Sequence, residues 1–212
     1  MKELAFFIYA FTSVFVIVNP VSGLLTFLAV TEDLDRAERH RVAKRSVIVA
    51  CVTALVFAVS GELILRLFSI TADNLRVAGG ALLFIVAMDM VHARTPRESM
   101  TPEELKDASK KKDVSVFPLA IPMLTGPGAM TTVIIIIREG ETIALKAVTI
   151  AAILATFLIA YLVFKYAEKV NKLLGVTASL VISRIMGLIL GAIAVNFIAV
   201  GIWNIYKSLQ GG

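Results

Sequence analysis

Two short stretches of this 212-residue chain join helix-breaking backbone to small polar side chains: Asn19-Pro20-Val21-Ser22-Gly23 and Thr125-Gly126-Pro127-Gly128-Ala129. Each sits near the middle of a long apolar run. Proline has no N–H to donate, so Pro20 frees the carbonyl of Val16 and Pro127 that of Met123, while the neighbouring glycines lower the resistance to unwinding. A helix that resumes after such a point offers free amides and a partial positive charge, suited to a carboxylate. The segment before it offers carbonyls, suited to an ammonium group or a cation. Asn19, Ser22, Thr26, Thr125, Thr131 and Thr132 add neutral hydrogen-bonding groups, and neither stretch carries a charged side chain. That chemistry suits a small, net-neutral solute with both kinds of end, such as an amino acid zwitterion. A lone proline kink in a membrane helix is more often structural than ligand-binding, so the weight falls on there being two in matching places.

Titratable groups are scarce in the apolar runs. Asp89 and Glu62 are the acids embedded there, and a protonatable carboxylate at such a depth could couple a solute to a proton. Both lie nearer the ends of their runs than the middles, where interface anchoring or an Arg partner is the plainer role. Asp89 is preferred, because the Gly79-Gly80 step in its run permits close approach of neighbours. Asn196, near the middle of the last run, is expected to turn its amide into the bundle interior and to join the substrate-binding set. Gly187-Leu-Ile-Leu-Gly191 on the same run is a GxxxG face for close helix contact, which allows homo-oligomers without requiring them. His40 and His92 are isolated, and the single Cys51 reads as packing. HExxH, GxSxG and GxxxxGK[ST] are missing from the sequence. The expectation is a protein that is not an enzyme and needs no cofactor or metal.

The elements that must position these residues follow from composition. Hydrophobic residues make up 58% of the chain and mean hydropathy is +0.86, which is far above what a soluble domain carries, so the solvent is the lipid bilayer. Six runs at 4–30, 46–68, 75–92, 114–137, 143–167 and 180–206 are each long enough to cross about 30 Å of hydrocarbon. The fold class is therefore all-α, a polytopic membrane protein with six transmembrane helices. Of the 21 Lys and Arg residues, 15 fall in the connections 31–45, 93–113 and 165–184. The net charge of +5 thus marks orientation rather than a basic face for nucleic acid, and the positive-inside bias puts both termini outside the cytoplasmic membrane. Within 93–113, Thr101-Pro102-Glu103-Glu104 has the form of a helix start, which predicts a short cytoplasmic surface helix.

A shift of about 107 residues lays the first three runs over the last three. Asn19-Pro20 falls on Gly126-Pro127, Leu55-Val56-Phe57 on Leu162-Val163-Phe164, and Arg76-x-x-Gly79, with one residue of slippage, on Arg184-x-x-Gly187. The expected organisation is a first three-helix repeat at 1–92, a connector at 93–113 and a second repeat at 114–212. Three spans is an odd number, so the copies enter the membrane from opposite sides, with broken helices 1 and 4 in corresponding places. That inverted architecture is common in secondary transporters, and some channels share it.

The segments NPVSGLLTFLAVT (19–31) and PLAIPMLTGPGAMTTVI (118–134), in a six-span chain of this length, resemble the MarC family of bacterial and archaeal membrane proteins. The resemblance covers essentially the whole chain. It implies a secondary transporter of small neutral amino acids such as glycine, alanine and serine, driven by a proton or sodium gradient. A passive small-solute channel and a membrane scaffold without transport activity are the competing expectations.

Overall fold

The computed structural model describes residues 2–92 and 115–210, and the regular structure there is helical throughout. The surface helix expected within 93–113 lies outside these residues. The elements are α1 (Lys2–Val18), α2 (Pro20–Val30), α3 (Arg36–Leu67), α4 (Ala72–Val91), α5 (Ser115–Leu124), α6 (Pro127–Glu139), α7 (Ile143–Lys165) and α8 (Ala167–Gln210). Among the described residues, five stretches are long and apolar enough to cross a membrane: Lys2–Val30, Arg36–Leu67, Ala72–Val91, Ile143–Lys165 and Ala167–Gln210. Helices α5 and α6, bent by 55°, make a sixth if counted as one span.

The helix starts are set by local chemistry. Asp35 Oδ1 accepts from the Glu38 amide at 2.8 Å and Glu38 Oε2 accepts from the Asp35 amide at 3.4 Å, a capping box that starts α3 well before residue 46. The hydroxyls of Thr71 and Thr142 cap α4 and α7 by accepting from the amides of Asn74 and Leu145. Pro20 and Pro127 stand at the first helical position of α2 and α6, where a missing N–H costs nothing. Helix α5 is irregular for a reason written in its sequence. Its extended residues, Phe117 (φ −122°, ψ 128°) and Ile121 (φ −128°, ψ 126°), each precede a proline, which crowds its predecessor out of the helical region. The connection expected at 165–184 is largely helical, because α8 begins at Ala167 and continues past a swing at Gly175, where φ is 71°.

Side-chain size, rather than polarity, distinguishes the inside of the bundle. The buried face of α3 runs Ala43, Val47, Ala50, Ala54, Ala58, Gly61 and Leu65, and that of α8 runs Ser179, Ser183, Gly187, Leu190, Ala194, Phe197 and Gly201. These are helical stripes of mostly small residues, while Val52, Val59 and Leu63 on α3 and Ile185, Leu188 and Ile202 on α8 point outward. Lipid solvates a Leu as well as the interior does, so close backbone approach and van der Waals contact drive the packing. Antiparallel α4 and α8 make the most intimate pair. A Cβ at Gly80 would stand 2.8 Å from the Ala194 carbonyl, and one at Gly187 would stand 3.0 Å from that of Ala87. The GxxxG face of α8 therefore serves contact within the chain. Helix α7 packs on α1 and α3, α2 packs on α8, and α6 lies at the centre against α1, α3, α4 and α7. Thr131 to Ile137 of α6 are all buried.

Candidate functional site

At the first junction, Asn19 is buried and adopts the left-handed conformation (φ 41°, ψ 67°), which Asn tolerates better than any residue but glycine. Its side chain closes the start of α2, since Oδ1 accepts from the Ser22 amide at 3.3 Å. Its Nδ2 lies 3.9 Å from Met90 Sδ on α4. The first turn of α2 thus meets its own cap, and of the amides proposed to face a solute there, that of Ser22 is occupied.

The second junction is built differently. Gly126 caps α6 through its backbone alone, with φ −83° and ψ 179°, and among the described residues no side chain caps the amides of the first turn. Gly128 and Ala129 therefore lack the side-chain partner that Ser22 has. Thr125, fully buried, spends its donors within the protein: its hydroxyl donates to the Ala50 carbonyl of α3 at 2.9 Å, and its amide donates to the Ala120 carbonyl at 3.0 Å. Thr132 likewise donates back to the Gly128 carbonyl at 2.9 Å.

The two junctions come together. A Cβ at Gly23, one turn into α2, would stand 3.2 Å from Met123 Cε, at the end of α5. Both junctions also lean on one face of α4, where Met90 meets Asn19 and Leu83 lies 2.7 Å from a Cβ built on Gly128. Those two α4 positions are seven residues apart, about 10 Å along the helix. Ser22 faces α8, whose Ser183 hydroxyl donates to Ser22 Oγ at 3.3 Å. One turn away on the same buried face, Ser179 Oγ has no hydrogen-bond partner among the described residues.

Three other expected site residues lie on α8, α3 and α4. Asn196 is exposed on the outside of α8. The small residue that the α4 contact needs there is Ala194, and a helix cannot turn both positions inward. Glu62 is exposed and pairs with Arg66 on its own helix at 2.5 Å. Asp89 is half-buried on α4, already partnered, and adjacent to Met90, which contacts Asn19.

Sequence reasoning missed Ser179 and Ser183, which the small-residue period of α8 would have flagged. It also missed a charged network at one end of the bundle. Arg76 reaches Asp73 at 3.1 Å and Glu139 at 2.5 Å, Asn204 donates to Asp73 at 2.9 Å, and Tyr9 stands beside Glu139. The network joins α1, α4, α6 and α8. At the opposite end, Arg39 pairs with Glu168 at 2.5 Å and donates to the Thr31 carbonyl at 2.9 Å, joining the end of α2 to α3 and α8.

Apolar spans, small-residue interfaces and lipid-facing aliphatic side chains define a multi-pass integral membrane protein. The chain belongs to the MarC family of integral membrane proteins, whose model matches residues 4–206. It is 35% identical to a UPF0056 membrane protein of Methanocaldococcus jannaschii, over 99% of this chain and 92% of that one. It is 34% identical to the UPF0056 membrane protein YvbG of Bacillus subtilis, over 97% and 98%, and 30% identical to YhcE of Escherichia coli, over 94% and 93%. These names describe membrane proteins and specify no cargo. No solved structure matches the chain.

Proposed function

We propose that this chain is a secondary transporter of small neutral amino acids, working by alternating access between two inverted three-helix repeats. The observation that carries the reading is the reciprocity of helix contacts across the halves. Under the shift that lays α1 to α4 on α5 to α8, the α2–α8 contact maps onto α6–α4, α1–α7 onto α5–α3, α3–α6 onto α7–α2 and α1–α6 onto α5–α2, while α3–α7 and α4–α8 map onto themselves. Each of these pairs is in contact, as a two-fold relation between halves would have it, while α1–α8 has no counterpart of similar extent between α5 and α4 among the described residues. Each half then holds a helix junction against the other half, which is where broken-helix transporters bind solute.

In this reading the solute carboxylate meets the Gly128 and Ala129 amides at the start of α6, which no side chain among the described residues caps. The ammonium group meets carbonyls before the junctions, with Ser22, Ser179 and Ser183 completing the shell. Small size follows from Gly23, Gly126 and Gly128, each within 3.2 Å of a neighbouring atom once a Cβ is added. The Arg76 and Arg39 networks lie at opposite ends of the bundle and would have to open in alternation. Asp89, beside the Asn19 contact, is the coupling carboxylate, so Asp89→Asn abolishes dependence on a proton gradient while the protein stays folded. The deciding experiment is uptake of labelled glycine into proteoliposomes, with and without imposed proton and sodium gradients. Accumulation driven by a gradient is expected. Passive equilibration would indicate a channel, and no flux a scaffold.

A further inference from the structure

Between α3 and α7, on the surface turned to lipid, runs a groove with a cavity volume of about 270 Å³. Its floor is apolar, made by Val47, Ile48 and Cys51 of α3 and by Leu154, Phe157 and Leu158 of α7. One end is cationic. Lys44 and Tyr161 close it there, the Tyr161 hydroxyl lies 3.2 Å from His40 Nε2, and the Lys165 ammonium stands 5.8 Å from the centre of the Tyr161 ring. Among the described residues, two acids of the same helix ends are engaged elsewhere: Glu38 accepts from the Asp35 amide and Glu168 pairs with Arg39.

We infer that this groove is a binding site for one anionic phospholipid, its phosphate between Lys44 and Lys165 and one acyl chain along the floor toward Cys51. Three features select that occupant. The cationic groups stand where the helices leave their apolar stretches, at the depth of lipid phosphates. The floor from Lys44 to Cys51 covers seven residues, about 10 Å, and runs into hydrocarbon as the first part of an acyl chain does. Finally, apolar floor and charged rim occur in the order of a lipid's own tail and headgroup. A free phosphate would leave the floor unfilled, and a zwitterionic lipid would bring a cation to a cationic rim.

Native mass spectrometry of the whole protein in detergent micelles, titrated with phosphatidylglycerol and with phosphatidylcholine of identical chains, tests the assignment. The first phosphatidylglycerol adduct should form at least about five times more readily, and Lys44→Gln with Lys165→Gln should weaken it about tenfold. Ile48→Trp, at an exposed floor position, should weaken it comparably while leaving both charges in place. Phosphatidylglycerol should also slow modification of Cys51, the sole cysteine, by N-ethylmaleimide. Equal retention of the two lipids overturns the proposal, as does a phosphatidylglycerol adduct that survives both sets of substitutions. Efficient bis-maleimide bridging of Cys51 between two copies would give the groove to a second chain, and overturns it too.

Discussion

At the scale of single residues, what a glycine faces decides what it tolerates. A Cβ on Gly126 would stand 2.5 Å from the Pro122 carbonyl, which is backbone and cannot rotate away, whereas one on Gly191 would meet only Ala87 Cβ at 3.7 Å. Gly126→Ala should therefore destabilise by about 1–3 kcal/mol, as overpacking does, while Gly191→Ala should be neutral or gain up to about 1 kcal/mol from helix propensity. Melting of the purified protein in detergent measures both, and the reverse order would falsify the packing assigned to α5 and α8. Asn19 separates backbone shape from side-chain chemistry. Glycine accepts φ 41° and costs a few tenths of a kcal/mol as a cap, so Asn19→Gly should melt near the parent, and Asn19→Val should melt well below it. If Asn19→Gly also transports glycine at the parent rate, the amide has no part in binding.

At the scale of elements, α4 ties the two junctions together, and its contact with α6 can be measured as an energy. Leu83→Ala alone should cost about 2–5 kcal/mol. Gly128→Ala alone should cost about 1–3 kcal/mol, because its Cβ would stand 2.7 Å from Leu83 Cδ2. Together they should cost less than their sum by at least about 0.5 kcal/mol, since the smaller side chain makes room for the added methyl. Strict additivity would mean that α4 and α6 do not meet there. The same contact explains why a bulky substitution at Gly128 is a poor probe of solute binding by itself: it strikes Leu83 whether or not a solute is present. The Arg76 network makes a second element-level test. Its side chain is 16% exposed and holds two carboxylates from two helices, whereas the Arg66 side chain is 76% exposed and holds one on its own helix. Arg76→Ala should lower stability by about 1–3 kcal/mol, and Arg66→Ala should leave melting unchanged.

At the scale of the whole molecule, orientation follows from charge and can be read chemically. In a Cys51→Ser background, cysteine in place of Ile143, at the start of α7, or of Lys172, in α8 just beyond the end of α7, samples the two sides of that span, and both positions are exposed. The positive-inside bias predicts that an impermeant thiol reagent added to intact cells modifies the Ile143 variant and spares the Lys172 variant. The opposite pattern would turn the molecule over. It would leave the helix pairing untouched, because the contacts between helices do not depend on which side of the membrane each end faces.

The sequence by itself determined the membrane class, the number of apolar runs and the two junctions, because hydropathy and proline act locally and need no partner to be read. It also carried the capping box at Asp35 and Glu38, which sets the true start of α3. Only the tertiary structure decided which face of each span turns inward. In an apolar helix the polar period is absent and small size marks the interior, so Ala194 rather than Asn196 meets α4, and Ser183 rather than a charged group meets Ser22. Likewise only contact between distant segments could tell that Thr125 is held by Ala50 of α3 and that Asn19 meets Met90 of α4. Hydrogen bonds across the bundle depend on which helices become neighbours, and no local pattern in the chain encodes that choice.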